Sequence, residues 1–343
     1  MRASLSRNGR QPYRGFMELH GAVVVLTGAS SGIGRAAALR LADEGAVLFL
    51  AARGEPALEE AARRCRERGA RAVAVATDVG DEPAVEALAA RALREEGRLD
   101  VWINCAAVAA FGRFTDVPSA AFRRVIETNL FGVVHGSRAA LSRFVEQGHG
   151  TLINVASVLG KEGIPNLSAY VASKEAIVGL SACLREELQG LERVNVCTIL
   201  PSSVDTPIWQ HAANYSGRRV RPLSPVYDAD QVARAIVGCA KKPRRVVFVG
   251  LAGSLVTALH KVSARWYELL AAAVAPRLMF RSGQAQASDG NLFRPSGSPT
   301  TVRGGWGSAG PWLDRAAKVG LAAGGLAAAG GAWRRSRRRR ESR

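Results

Sequence analysis

Between Ala22 and about Gly250 the chain repeats one pattern seven times: a short apolar run, then a longer stretch with apolar residues at helical spacing. The runs predict strands over Ala22–Leu26, Ala46–Ala51, Ala70–Ala76, Asp100–Asn104, Thr151–Val155, Val194–Leu200 and Val246–Val249. Several are apolar at every position instead of alternating, which is how a strand reads when both faces of its sheet are covered. Stretches such as Ile33–Glu44, Glu55–Arg68, Glu82–Glu96 and Ser168–Gln189 predict helices. Strand–helix alternation needs right-handed crossovers, so the expected fold is α/β, a doubly wound seven-stranded parallel sheet. No linker breaks the run, and residues 18–252 read as one domain.

The flanks read differently. Residues 1–17 hold Arg2, Arg7, Arg10 and Arg14 without an acid or an apolar core, so they predict a disordered basic N-terminus and not a secretory signal. The periodic pattern begins just after Met17, a candidate functional start. Residues 253–280 place Leu255, Leu259, Val262, Trp266, Leu269, Leu270, Ala273 and Val274 at helical spacing. That amphipathic extension packs on the domain or on a second subunit, and a homo-oligomer is expected. Residues 281–343 read as a low-complexity linker and an Ala/Gly/Arg tail. Arg281–Pro311, rich in Gly, Ser, Pro and Gln, predicts a disordered linker that leaves the tail mechanically separate. Ala316–Trp333 is weakly apolar and ends in an arginine run. It leaves a spanning helix, peripheral contact with anionic lipid and a solvated tail all open.

The net charge of +18 belongs mostly to these ends: residues 281–343 carry twelve basic side chains against Asp289, Asp314 and Glu341. A basic tail without interleaved aromatics does not make a nucleic-acid surface. Five scattered cysteines without CxxC spacing fit a reducing, cytoplasmic setting and small buried thiols. The five histidines are dispersed, and no metal is expected.

Two motifs carry chemistry. Thr27-Gly28-Ala29-Ser30-Ser31-Gly32-Ile33-Gly34 follows an apolar strand and opens a helix. Glycines there allow a tight turn and close backbone approach to a pyrophosphate, which the free N–H groups of the helix start would bind. Arg53 lies just past the second predicted strand, where a dinucleotide's ribose would sit. With no acid over Leu50–Arg53 to take a 2′-hydroxyl, NADP is favoured over NAD. A merely solvated Arg53 is the alternative. Farther on stand Ser157, Tyr170 and Lys174, the last two one helical turn apart. An ammonium beside a phenol can lower its pKa toward a working pH, so the trio points to nicotinamide-dependent carbonyl/alcohol chemistry. The segment from Thr206 to Asp228 contains Ile208, Trp209, Tyr215, Leu223 and Tyr227 together with Arg218, Arg219 and Arg221. Its apolar members suit a hydrophobic ligand, and its arginines could meet an anionic group.

With both motifs in place the chain resembles the short-chain dehydrogenase/reductase family over about Glu18 to Gly250. The glycine pattern is complete, Glu127-Thr128-Asn129 holds the family's helical Asn, and Tyr170-Val171-Ala172-Ser173-Lys174 completes its Tyr-x-x-x-Lys. Two segments depart: Asn104-Cys105-Ala106-Ala107 stands for Asn-Asn-Ala-Gly, and Pro201-Ser202 for Pro-Gly. The resemblance implies catalytic roles for Asn129, Ser157, Tyr170 and Lys174. Tyr170 exchanges the proton, Ser157 holds the substrate oxygen, Lys174 holds the nicotinamide ribose, and Asn129 keeps a water path. It also implies cofactor contacts at Asn104, at Asp78 and Val79 near adenine, and at Val204 and Thr206 near the nicotinamide. The expected partner is a small carbonyl or alcohol substrate. A dinucleotide-binding scaffold that no longer catalyses is the alternative.

Overall fold

The computed structural model describes residues 16–250, 263–296 and 301–307. The expectations for residues 1–15, for Leu255–Val262 and for the Ala316–Trp333 stretch with its arginine run lie outside them.

Seven parallel strands form the central sheet: β1 (Val23–Thr27), β2 (Val47–Ala52), β3 (Ala72–Ala76), β4 (Val101–Asn104), β5 (Gly150–Val155), β6 (Val194–Pro201) and β7 (Val246–Val249). Their spatial order is β7-β6-β5-β4-β1-β2-β3, with β1 pairing β2 in the register Val24↔Leu48 and β4 in the register Val24↔Val101. This is the doubly wound sheet that the apolar runs predict.

Residue parity explains why those runs are continuous. Val24, Leu26, Leu48, Leu50, Val101 and Ile103 face one core, shared with helices α1 (Gly32–Asp43), α2 (Glu55–Arg66) and α8 (Ala229–Lys241). Val23, Val25, Phe49, Ala51 and Trp102 face the other, shared with α3 (Glu82–Glu96) and α5 (Gly132–Gln147). Residues of the inner strands are thus covered whichever way they point, whereas Val246 and Phe248 on the edge strand stay exposed. Burying each large side chain contributes roughly 1.5–3 kcal/mol.

Strand order reverses between β1 and β4, and the crevice beyond their C-terminal ends is where such sheets bind ligands. Four further elements build around it: α4 (Ser119–Ile126), a π-helical turn (Glu127–Phe131), α6 (Ser168–Glu187) and α7 (Ile208–His211).

The C-terminal part corrects the sequence reading. A helix runs from Ala264 to Met279 and packs on the domain through Tyr267, Ala275 and Met279. The strand Phe280–Gln284 then pairs antiparallel with the strand Arg218–Val220. Residues beyond it are pinned as well: Tyr215 donates its hydroxyl to Asp289 at 2.5 Å, and Leu292 is fully buried. The described parts of 281–311 are therefore not a free linker. Their bonds reach back to residues far away in sequence, which composition cannot reveal. No helix among the described residues is long and apolar enough to cross a membrane.

Candidate active site

The glycine turn closes at the end of β1. Gly28 has φ +71°, and a Cβ there would sit 2.7 Å from the Ala106 backbone. A Cβ on Gly34 would lie 2.1 Å from the Gly28 carbonyl oxygen, so the helix can start this close to the strand only with glycine. Thr27 ties the turn to β4, because its hydroxyl oxygen accepts from the N–H groups of Cys105 at 3.1 Å and Ala106 at 3.3 Å. Beyond lies a cleft of about 240 Å³ whose walls include Gly28, Ser30, Ser31, Gly32, Ile33, Gly34, Arg53, Asp78 and Val79 on one side. Ser157, Tyr170, Lys174, Val204 and Thr206 line the other.

Asn104 is not among the residues that line the cleft. Its carboxamide turns into the core, accepting from Trp102 Nε1 at 2.8 Å and donating to Asn154 Oδ1 at 2.9 Å. Parity explains this: Asn104 shares a strand face with Trp102. The cleft wall comes instead from Cys105, Ala106, Ala107 and Val108, of which only the neighbouring motif position gave a hint.

Asn129 sits in the π-helical turn, fully buried. Its Oδ1 accepts from Val108 N at 2.8 Å, and Nδ2 donates to Val108 O at 3.0 Å and to Ser173 Oγ at 3.1 Å. Both amide hydrogens are taken. The side chain clamps the Val108 loop to the helix that carries Tyr170, so it positions the site and does not itself offer a donor to a water path.

Ser157, just past the strand that ends at Val155, accepts from Leu159 N at 3.1 Å and lines the cleft together with Tyr170. Lys174 Nζ donates to Val155 O at 3.0 Å and lies 5.5 Å from the Tyr170 ring centre. Burial pushes the phenol up to about 12, opposed by the Ser157 hydrogen bond. Burial also pulls Lys174 down to about 8. Burial dominates the phenol, and Lys174 is not among the groups that shift it in this geometry. A phenol that keeps its proton at neutral pH is a proton donor.

At the other end of the cleft, Arg53 donates from Nη1 to Leu292 O at 2.6 Å and from Nη2 to Asn291 O. Burial lowers its pKa, with Asp78 opposing and Arg124 adding to the effect. Burial pushes Asp78 up, but hydrogen bonds from Arg124 and from Gly80 N at 3.0 Å leave its carboxyl below the ordinary value. Arg35 turns away to Glu60.

A second cavity of about 320 Å³ adjoins the first at Ser157 and Tyr170. Phe111, Leu159, Ile164, Leu167, Trp209 and Leu223 form its inner wall. Leu270, Val274 and Leu278 of the C-terminal helix line its mouth while staying partly exposed. Among the described residues Glu162 is the one charged side chain in the lining, and the arginines of the 206–228 segment are not part of it. Arg221 instead donates to Leu278 O at 2.6 Å, and Arg218 lies 5.3 Å from the Phe280 ring centre.

A parallel sheet with a glycine turn at its switch point is a dinucleotide-binding fold, and a serine, a phenol and an ammonium at the far end of the cleft make it an oxidoreductase fold. The comparisons agree. Residues 22–215 match the family model of the short chain dehydrogenases. The chain is 36% identical over 267 residues to the uncharacterized oxidoreductase YxnA of Bacillus subtilis, covering 77% of this chain and 74% of that protein. It is 37% identical over 262 residues to the probable oxidoreductase EphD of Mycobacterium tuberculosis, covering 70% of this chain but 44% of that protein. A crystal structure of a short chain dehydrogenase/reductase from Burkholderia phymatum, in complex with NAD, superposes with a TM-score of 0.62 at 26% identity, covering 79% of this chain and all of that one. The chain belongs to the short-chain dehydrogenase/reductase family and is an oxidoreductase of that kind, built to bind a nicotinamide dinucleotide.

Proposed function

We propose that the protein is an NADP-dependent oxidoreductase that moves a hydride between nicotinamide and a ketone, aldehyde or secondary alcohol of apolar character. One observation carries this reading. Tyr170 lines both cavities, so it stands where a glycine-walled cleft meets an apolar chamber.

The bound nicotinamide supplies or takes the hydride. The rest falls to this chain's own groups. In reduction, Tyr170 gives its proton to the carbonyl oxygen as the carbon gains the hydride, and an alcohol results; oxidation runs the same transfers backwards. Ser157 donates a hydrogen bond to that oxygen and stabilises the charge growing on it. Lys174 holds the nicotinamide ribose, and Asn129 holds the loop and helix that frame the reaction. Val204 and Thr206 close the nicotinamide end, and Asp78 and Val79 the adenine end.

The charge at the ribose end supports NADP. The direct partners of Arg53 are carbonyls, and the nearby Asp78 is itself paired to Arg124. Arg124 is shared between Asp78 and Glu127, so Arg53 is the guanidinium of this end with no carboxylate bonded to it, and a 2′-phosphate would give it an anionic partner.

The test is turnover of apolar ketones with NADPH by the wild type and Tyr170→Phe. We expect a loss of about 10²–10⁴-fold in kcat with cofactor affinity unchanged. Full turnover by the variant would remove Tyr170 as the proton donor.

A further inference from the structure

The C-terminal helix Ala264–Met279 is apolar on two sides. One stripe, Tyr267, Ala275 and Met279, is buried against the domain. The other runs at i, i+3, i+4, i+7 and i+8 through Trp266, Leu269, Leu270, Ala273 and Val274. That spacing is how a helix marks a face that is to leave water. Here the face points outward, with Trp266 71%, Leu269 55% and Leu270 52% exposed. Large apolar side chains side by side on one exposed face form a patch, unlike the single ones scattered over an ordinary surface.

Two further observations say what suits this face. The first is the chamber, which opens on it. Leu270, Val274 and Leu278 line the chamber and are also partly exposed, so its apolar wall runs out onto the face through the same side chains. The second is charge. Beside the helix end, the ribbon of Arg218–Val220 and Phe280–Gln284 sets Arg219 directly opposite Arg281, and both are exposed. Arg221 donates to the Leu278 and Arg277 carbonyls at 2.6 and 3.4 Å, which brings its charge to the same end. Residues 218–221 and 277–284 hold five arginines and no acid, and Glu268 is the one acid of the helix. Like charges so placed repel, and an anionic surface relieves them. A second copy of the chain meeting this face about a two-fold axis would bring the same arginines to the contact. An apolar helix face bordered by uncompensated cations suits the interface of a bilayer that contains anionic lipid.

We propose that this face seats the protein on an anionic lipid surface and that the chamber takes its substrate from there, a carbonyl or alcohol carried on a long apolar chain. The substrate half rests on the reading of Tyr170 as the proton donor where chamber and cleft meet.

The experiment mixes full-length protein with phosphatidylcholine vesicles containing phosphatidylglycerol, and reads co-sedimentation and hydrogen exchange. Trp266 and Leu269 do not line the chamber. The double variant Trp266→Glu/Leu269→Glu is expected to bind the vesicles at least about tenfold more weakly, with an unchanged unfolding midpoint. Arg219→Gln and Arg281→Gln should each cost about fivefold on these vesicles and nothing on phosphatidylcholine alone. In wild type, the vesicles should protect the amides of 264–279 from exchange. With NADPH, the double variant should lose at least about tenfold in kcat/KM for a long-chain methyl ketone held in the vesicles, while a small water-soluble ketone keeps its rate. Wild-type vesicle binding by the double variant, or no protection of 264–279, overturns the docking face. A dimer without lipid that the double variant makes monomeric gives the face to a second copy and overturns it too. Equal loss on both ketones overturns the substrate route. A wild type that binds vesicles but reduces neither ketone with NADPH or NADH overturns the hydride-transfer reading instead.

Discussion

The cleft and the chamber meet at Tyr170 but are made in different ways. The cleft is built largely from backbone: Gly28 and Gly34 are there because a Cβ would strike main-chain atoms within 3 Å. The chamber is built from side chains contributed by five separate stretches, from Phe111 to Leu278. A backbone-built site tolerates almost no change in its residues and so has a short, fixed spelling. A side-chain-built site needs only bulk and apolarity, which many sequences supply. The first therefore carries the common chemistry, and the second carries what is particular to this chain.

That contrast can be broken at three places. The largest effect after Tyr170 is expected at Arg53, a side-chain element inside the backbone-built cleft. Arg53→Asp should weaken NADPH by about 10- to 100-fold, the loss of a charge-assisted contact, and leave NADH nearly unaffected. Isothermal titration with both cofactors checks this. Equal loss for both would assign Arg53 to the carbonyls of Asn291 and Leu292 alone.

A smaller effect belongs to the chamber. Trp209 packs against Phe111 with ring centres 5.8 Å apart and donates Nε1 to Val204 O at 2.9 Å. Trp209→Ala should lower kcat/KM about tenfold for a bulky apolar carbonyl while sparing a small one, since only the former fills the space removed. A uniform loss across substrate sizes would mean that the change had reached the cleft.

The smallest effect concerns pH. Buried Lys174 releases its proton near 8 in the folded protein, whereas the unfolded chain holds it to about its ordinary 10.5. Between those values the unfolded state binds more protons, so this group makes stability rise with pH across the window. Chemical denaturation of unliganded protein from pH 8 to 10 should show a shallower rise in Lys174→Met than in wild type. Identical slopes would place the ammonium in a more solvated setting.

Much of this was legible in the residues, for reasons that differ by position. The glycine turn and the Tyr170–Lys174 spacing are local patterns, and local patterns survive translation into structure. Arg53 was placed by counting from the second strand. For Asn104 the motif position does not say which face its side chain takes; strand parity with Trp102 does, and it turns the carboxamide toward Trp102 and Asn154. The segment after Phe280 was misread because Gly, Ser and Pro composition argues for disorder, while the bonds that order it run to Arg53, Arg124 and Asp205, far back in the chain. Two isolated apolar residues, Leu292 and Val302, were the available signal, and both now lie against a core.

The most direct measurement of the central claim follows the hydride itself. NADPH carrying deuterium at the transferred position would be mixed with the protein and a set of apolar ketones, and the product alcohols weighed by mass spectrometry. The account predicts deuterium on the carbinol carbon with wild type and almost none with Tyr170→Phe, although both bind the dinucleotide. Tight binding of NADPH by wild type with no deuterium in any product would contradict it and leave a dinucleotide-binding scaffold in its place.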